Sequence, residues 1–430
     1  MKNFIKIGNE ETKSIVSNVS WLFSDKILRM GVGLVVGVWI ARYLGPENFG
    51  KWNYGLALTG VFAAVSTLGL DSLVVKDLVK VGSDEKIILG TSLVMRLVGS
   101  VVAVILSYLI VFFTERNDIQ MQLIVFVLSL SFIFQSFDVI DLFFQSKVKS
   151  KYVVIAKNSV FLICALFRVA GLYFKLSLIY FVAMSTVEIA FGALALLYYY
   201  SKKSSYSIFS WKVSKAYGLE KLKECWPIIL SGVIIIIYMR IDQIMIKQFL
   251  NEKAVGIYSA AVRIVEVWYF VPSTITVSLF PVLIKNKEDN NGYYKTVLKM
   301  FRYLFLISFS ISVIILFTSE PLITLLFGKA YIAAAFALKI SIWTGVFVFW
   351  GVGAGNILVL ENLNNHNLYK SLSSVFVNVG LNFVLIPKYG INGAAIATLI
   401  SQAFGSYFYF LIPRATRHIF WLQTKSMFWK

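Results

Sequence analysis

Long apolar stretches alternate with short polar segments along the whole chain, and this pattern limits its folds more than any other feature. A stretch of roughly 20 mostly apolar residues is long enough to cross a bilayer as a helix. Only 15% of the 430 residues are charged and 58% are hydrophobic, whereas a soluble domain has about 25% charged residues. The pattern therefore predicts an all-α integral membrane protein of about twelve transmembrane helices, at approximately 17–43, 52–70, 87–113, 121–144, 153–174, 176–200, 226–249, 256–284, 299–318, 333–360, 370–387 and 391–413.

The formal net charge of +19 would suggest nucleic-acid binding in a soluble protein. Here the basic residues lie mainly in short loops, where they report topology instead. With the N-terminus in the cytoplasm, cytoplasmic segments hold 24 lysines and arginines and outer segments hold 8. This bias predicts that both termini are cytoplasmic. Residues 1–18 lack the features of a cleavable signal peptide, so we expect the first helix to be retained.

Two similar segments indicate an internal repeat. "IARYLGPENFGKWNYGLAL" begins at Ile40 and "IKQFLNEKAVGIYSAAVRI" begins at Ile246; each joins two apolar helices through a polar turn with a glycine, Gly50 or Gly256. Six helices per half would give both halves one orientation, with the repeat axis along the membrane normal. We predict six-helix bundles at 1–205 and 225–430, joined by a cytoplasmic linker at 206–224. Chance similarity between apolar helices is the alternative.

Ionisable residues are unusually frequent inside the predicted spans, where each costs about 2.5 to 3.5 kcal/mol on insertion scales. Asp25 and Arg29 are one helical turn apart, as are Arg263 and Glu266, so each pair is expected to meet on one helix face. Arg240 and Asp242 are two positions apart and cannot face each other. Each therefore needs another partner or a ligand.

Packing of the fourth helix against the fifth would bring Asp141 and Lys157 to one depth, and we interpret that pair as structural. Bases outnumber acids in the spans, which favours a polar cavity that receives an anion. The candidate substrate-binding residues are Arg29, Arg240, Arg263, Asp25, Asp242 and Lys339. For the arginines, the alternative is that they pair with acids on other helices. For Lys339, the alternative is that its side chain snorkels to a membrane interface.

Signatures of catalysis are missing from the sequence. It has no Walker loop, no HExxH and no GxSxG in a plausible context, so we expect neither a catalytic or metal site nor a cofactor. Cys164 and Cys225 lie in or beside apolar stretches and suggest no disulfide framework.

Five motifs in order resemble the polysaccharide (O-antigen type) flippases of the multidrug/oligosaccharidyl-lipid/polysaccharide exporter superfamily. The resemblance spans most of the chain. The motifs are "RYLGPENFGKWNYGLAL" from Arg42, "LGLDSLVVKDL" from Leu68, "RIDQIMIKQFLNEKAVGIYSAAVRI" from Arg240, "FVPSTITVSLFPVL" from Phe270 and "YGINGAAIATLIS" from Tyr389.

The resemblance implies two six-helix bundles around a central cavity, in a bacterial inner membrane. It also implies that an undecaprenyl-pyrophosphate-linked oligosaccharide moves from the cytoplasmic to the outer leaflet by alternating access, for surface polysaccharides such as lipopolysaccharide. Arginine suits such a substrate because it binds phosphate oxygens through two parallel hydrogen bonds. Proton or sodium coupling is an expectation of the same kind. A drug or cation antiporter of the same fold and a membrane-embedded polysaccharide enzyme are the alternatives.

Overall fold

The computed structural model describes residues 9–204, 206–287 and 290–428, and the regular structure in those ranges is helical. Short 3-10 turns occur at Ser136–Asp138, Ile208–Ser210, Val267–Tyr269, Lys329–Tyr331, Phe408–Leu411 and Arg414–Thr416. The α-helices are α1 (Asn9–Thr67), α2 (Asp71–Val79), α3 (Glu85–Thr114), α4 (Ile119–Ser129), α5 (Ser131–Gln135), α6 (Val139–Ser146), α7 (Lys151–Tyr173), α8 (Leu178–Lys203), α9 (Lys215–Phe249), α10 (Glu252–Glu266), α11 (Phe270–Asn286), α12 (Asn290–Leu326), α13 (Ala334–Ser341), α14 (Thr344–Leu360), α15 (Asn365–Tyr389), α16 (Ile391–Ser406) and α17 (Arg417–Ser426).

Eleven helical stretches in the described residues are long and apolar enough to cross a membrane. The first, Phe23–Val79, has 57 residues, more than twice the roughly 20 that one crossing needs. It is divided at Gly45, whose φ of 71° and ψ of 171° lie outside the helical region. Its two arms therefore account for two crossings, and the prediction of an all-helical membrane protein with about twelve spans is confirmed.

The connection between the first two spans is tighter than expected. We predicted a polar turn with the second helix beginning at residue 52, but the helix resumes at Pro46 and only Gly45 leaves it. Glycine adopts positive φ without a Cβ clash. Proline fits the first turn of the following arm because its φ is already helical and it needs no hydrogen-bond donor there.

The span predicted over 256–284 is interrupted just before Pro272. The structure has a 3-10 turn at Val267–Tyr269 between α10 and α11. Pro272 follows as the third residue of α11, where its missing N–H breaks no bond within that helix. The predicted single helix over 256–284 is thus two helices joined at this turn.

The chain forms two compact units. Unit 1 comprises Met1–Tyr43 and Gly55–Ile236, and unit 2 comprises Leu44–Tyr54 and Ile237–Lys430. The division differs from the predicted limits of 1–205, 206–224 and 225–430. The linker lies within unit 1 because its backbone is bound to α3: Lys212 N donates to Lys86 O over 3.2 Å, and Ser214 N donates to Thr91 Oγ1 over 3.0 Å.

A second reason for the linker's place is a buried ion pair. Lys221 Nζ lies 2.9 Å from Asp77 Oδ2, and both side chains are under a tenth exposed. Tyr217 OH also donates to Asp77 over 2.9 Å. The beginning of α9 is thereby fastened to α2.

The repeat-equivalent glycines meet inside unit 2. A Cβ on Gly50 would overlap the carbonyl oxygen of Glu252, and a Cβ on Gly256 would overlap that of Pro46. Gly50 therefore faces the residue four places before Gly256, and Gly256 faces the residue four places before Gly50. Such a reciprocal contact is what a local twofold axis produces. The contact supports the predicted repeat and explains why a glycine stands at both positions.

Candidate substrate-binding clusters

The first polar cluster lies in unit 1 and begins with the pair predicted on α1. Arg29 Nε donates to Asp25 Oδ1 over 2.8 Å, one helical turn away. The guanidinium also lies 3.7 Å from Glu188 Oε1 of α8 and 5.1 Å from the ring centroid of Phe161 on α7. The prediction that Asp25 and Arg29 pair is confirmed, and Glu188 is a further acidic partner.

The same cluster continues through two more cations. Arg168 Nη1 lies 2.8 Å from Glu188 Oε2. Lys157 Nζ lies 2.9 Å from Asp138 and 3.0 Å from Asp141. The predicted pairing of Asp141 with Lys157 is confirmed. The cluster holds four carboxylates and three cations, so acids are not in short supply within this cluster.

A small cavity opens among these side chains. It has a volume of about 190 Å³ and is lined by Arg29, Gln135, Asp138, Lys157 and Glu188, with Gly192 on its wall. A Cβ on Gly192 would meet nothing within 4 Å. The cavity presents donors and acceptors side by side with little net charge, which suits hydroxyl groups better than an isolated anion.

The second cluster lies in unit 2 around Asp242 of α9, which is 7% exposed. Tyr258 OH of α10 donates to Asp242 Oδ2 over 2.7 Å, and Asn382 Nδ2 of α15 donates to Oδ1 over 2.7 Å. The hydroxyl of Thr398 on α16 also donates to Oδ2. Three helices thus direct neutral donors at one carboxylate, which lowers the cost of its burial.

Asn382 has a second feature at this cluster. Its Nδ2 is shared between Asp242 and Asn378 Oδ1, while its own Oδ1 is buried without a hydrogen-bond partner in the described part of the chain. Both asparagines are fully buried. A buried acceptor without a donor is uncommon in folded proteins, and here it lies on the residue that already binds the carboxylate.

The remaining candidates lie elsewhere in unit 2. Arg240 Nη1 is 3.8 Å from Glu266 Oε1, so it has the separate partner that its spacing predicted. Arg263 is half-buried and interacts with neighbouring groups. Lys339 of α13 is also half-buried, and within the described residues no hydrogen bond or ion pair joins it to another side chain.

Sequence reasoning missed several members of these clusters. Tyr258, Asn382 and Thr398 were not singled out, although asparagines spaced four apart in an apolar helix were a usable signal. Lys370 of α15 was not singled out either. Its Nζ donates to the carbonyl oxygen of Gly351 over 3.2 Å and lies 5.7 Å from the ring centroid of Phe410.

Comparison with known proteins assigns the chain to a family. Residues 15–287 match the family described as polysaccharide biosynthesis protein. The chain belongs to this family. It is 25% identical over 413 residues to the capsular polysaccharide biosynthesis protein CapF of Staphylococcus aureus, covering 92% of this chain and 99% of the relative. It is 26% identical over 219 residues to the probable flippase AglR of Haloferax volcanii, covering 48% and 41% of the two chains.

Two solved structures share the fold. One is the lipid II flippase MurJ in an inward closed conformation, with a TM-score of 0.71 at 16% identity, covering 96% of this chain and 91% of the other. The other is an inward-facing multidrug resistance transporter of the MATE family, with a TM-score of 0.73 at 13% identity, covering 93% and 94%. The resemblance drawn from the sequence motifs is confirmed at the level of family and fold.

Proposed function

We propose that the chain is a flippase that moves an undecaprenyl-pyrophosphate-linked oligosaccharide from the cytoplasmic to the outer leaflet by alternating access. The observation that carries this proposal is the match to CapF, which spans 99% of that capsular polysaccharide protein. The relative named a probable flippase supports the same activity. The polymer served is a bacterial surface polysaccharide, of capsular or O-antigen type.

The polar clusters offer hydrogen-bond donors and acceptors, which a path for sugars through the membrane needs. Sugar hydroxyls that cross a bilayer must exchange water for fixed donors and acceptors. The cavity beside Arg29 and Glu188 offers both kinds of group within unit 1. We assign the pyrophosphate to Arg240, Arg263 and Lys339 of unit 2, with Arg29 and Asp25 serving the sugar. No covalent bond changes in this process, so transport requires no catalytic group.

Asp242 is the group we assign to ion coupling. A membrane carboxylate that binds and releases a proton or a sodium ion can link transport to a gradient. The carboxylate of Asp242 accepts from the Thr398 hydroxyl and from the Asn382 amide nitrogen, and Asn382 Oδ1 is a further buried oxygen without a hydrogen-bond partner in the described residues. These oxygens fit a hard cation. A proton is the other candidate, because no basic side chain in the described part of the chain forms an ion pair with Asp242.

Cation antiport is the second candidate, because the chain shares the fold of the multidrug transporter and the cluster in unit 1 has one more carboxylate than cations. Purified protein in vesicles separates the two. The flippase reading predicts that a fluorescent undecaprenyl-pyrophosphate sugar becomes accessible on the opposite leaflet and that organic cations are not moved. Uptake of organic cations with no movement of the lipid-linked sugar would contradict the flippase proposal and support cation antiport.

The orientation of the chain in the membrane can be tested by labelling introduced cysteines. We propose that both termini are cytoplasmic in the inner membrane, which follows from the lysine and arginine bias. In a chain with Cys164 and Cys225 replaced, both being buried and free, an impermeant thiol reagent should label Lys253→Cys from outside and leave Lys202→Cys unlabelled. The reverse pattern in intact cells contradicts the orientation.

A further inference from the structure

A basic cavity lies at one end of unit 1, apart from the clusters described above. Its volume is about 780 Å³. The walls come from the segment entering α3, the turn between α6 and α7, and the segment leaving α8. Five lysines contribute to its lining: Lys86, Lys147, Lys149, Lys203 and Lys212.

The acids of this cavity leave most of its positive charge uncompensated. Asp84 accepts from the backbone nitrogens of Lys86 and Ile87 over 2.9 and 3.4 Å and so caps α3. Glu85 pairs with Lys147. Lys86 Nζ lies 4.3 Å from the ring centroid of Tyr206. Five cations face two carboxylates, an arrangement that attracts a phosphate-bearing group.

An apolar groove follows along the same helix. Its volume is about 450 Å³, and its lining includes Val94, Val98 and Val102 of α3 with Leu219 and Leu222 of α9. Val98 is 61% exposed. At 1.5 Å per residue, Val98 lies about 18 Å beyond Lys86 along the helix axis. The groove therefore begins at the charged end and continues into the apolar part of α3.

The linker borders both surfaces and is held against α3. Lys212 lines the cavity, while Val213 and Ser214 line the groove. A Cβ on Gly90 would overlap the carbonyl oxygen of Lys212, so this glycine permits the close approach of linker and helix. The backbone bonds from Lys212 to Lys86 and from Ser214 to Thr91 hold that approach.

We propose that the cavity and the groove together bind one anionic glycerophospholipid. Its phosphate lies among Lys86, Lys149 and Lys212, and an acyl chain follows the groove on α3. A charged pocket next to an apolar channel matches the two chemically distinct parts of such a lipid. The site does not depend on the proposed transport activity, and the bound lipid would hold the linker against α3.

Native mass spectrometry of the full chain, released from detergent with added lipid, tests the proposal. We expect phosphatidylglycerol to bind at least tenfold more tightly than phosphatidylcholine. The triple variant Lys86→Gln, Lys149→Gln, Lys212→Gln should lose at least tenfold in that affinity. The matched triple Lys285→Gln, Lys295→Gln, Lys299→Gln removes the same charge from exposed positions of unit 2 and should change it by less than twofold. Equal losses in the two triples would overturn the site.

The groove has a separate pair of variants. Val98→Trp fills it, whereas Val101→Trp places the same ring on an exposed position of α3 outside the groove. Only Val98→Trp should weaken phosphatidylglycerol binding. Displacement of the lipid by sodium pyrophosphate at a similar concentration would make this a site for soluble phosphates and overturn the proposal. Tighter binding of undecaprenyl phosphate than of phosphatidylglycerol would also overturn it, in favour of a loading site for the transported lipid.

Discussion

The two polar clusters differ in how they compensate buried charge. In unit 1, Arg29, Lys157 and Arg168 each face carboxylates at 2.8 to 3.7 Å, so formal charges compensate one another. In unit 2, Asp242 is surrounded by neutral hydroxyl and amide donors. The charges of unit 1 are therefore balanced within the protein, whereas no base among the described residues balances the carboxylate of Asp242.

We infer from this difference that the two clusters have separate roles. The cluster of unit 1 is suited to fixing helices and presenting hydrogen-bonding groups to a substrate. The cluster of unit 2 is suited to sensing an ion. Variants of the two clusters should therefore differ in kind, some changing stability or substrate handling and others changing the response to a gradient.

Removing Lys157 should have the largest effect on stability. Lys157→Met leaves Asp138 and Asp141 facing each other without the cation that holds both. Breaking a fully buried pair costs about 3 to 5 kcal/mol, and partial exposure of these side chains reduces our expectation to about 2 kcal/mol. Thermal unfolding in detergent should show a clear fall in Tm. Lys299→Met, at an exposed position, is the control, and equal Tm values for the two variants would contradict the pairing role.

Replacing Arg29 should affect transport more than stability. Arg29→Ala removes the contacts to Asp25 and Glu188 and should lower polymer export about tenfold, which is about 1.4 kcal/mol. Arg29→Lys should recover part of it, because lysine keeps the charge and loses the planar fork of donors. Export is measured at matched protein level in cells. Full activity of Arg29→Ala would remove this residue from the substrate path.

Changing Asn382 should alter the ion dependence of transport. Asn382→Leu deletes both the donor to Asp242 and the unpartnered oxygen. The concentration of the coupling ion that gives half-maximal stimulation should rise about fivefold, or about 1 kcal/mol. Asn367→Ala, which removes a hydrogen bond to Gly355 O, is the control. An unchanged ion dependence in Asn382→Leu would place coupling elsewhere.

Lys339 should show the smallest effect. It is half-buried and lacks a carboxylate within the described residues, so it remains available to a phosphate. Lys339→Gln should raise the half-saturating concentration of a pyrophosphate-linked substrate by two- to threefold, equivalent to about 0.5 kcal/mol. Lys388→Gln, on an exposed side chain, should leave it unchanged. A loss of the same size for both lysines would indicate a general charge effect.

Spacing within one helix was enough to predict part of these clusters. Asp25 and Arg29 pair because i and i+4 share a face, and Asp141 meets Lys157 because adjacent antiparallel helices match in depth. The surroundings of Asp242 were not predictable in that way. Tyr258 follows it by 16 residues, but Asn382 and Thr398 follow by 140 and 156, and only tertiary packing brings them together.

The turn at Gly45 and the docked linker show the same limit. Polar residues from Glu47 to Lys51 suggested a loop, yet only Gly45 leaves the helical conformation and the helix resumes at Pro46. The segment 206–224 was predicted only as a cytoplasmic linker, yet its backbone is bound to α3 and Lys221 is buried against Asp77. Hydropathy reports how many spans there are, and it does not report where polar segments find partners.

The most direct test of the account is flipping of a labelled lipid-linked sugar in reconstituted vesicles, with and without an imposed pH or sodium gradient. The wild type should be stimulated by one of the gradients. Asp242→Asn should flip at the unstimulated rate under every condition, because its amide keeps the shape and binds no ion. Asp25→Asn should flip more slowly at all gradients while keeping the same relative stimulation. Loss of stimulation in Asp25→Asn with stimulation intact in Asp242→Asn would contradict the account.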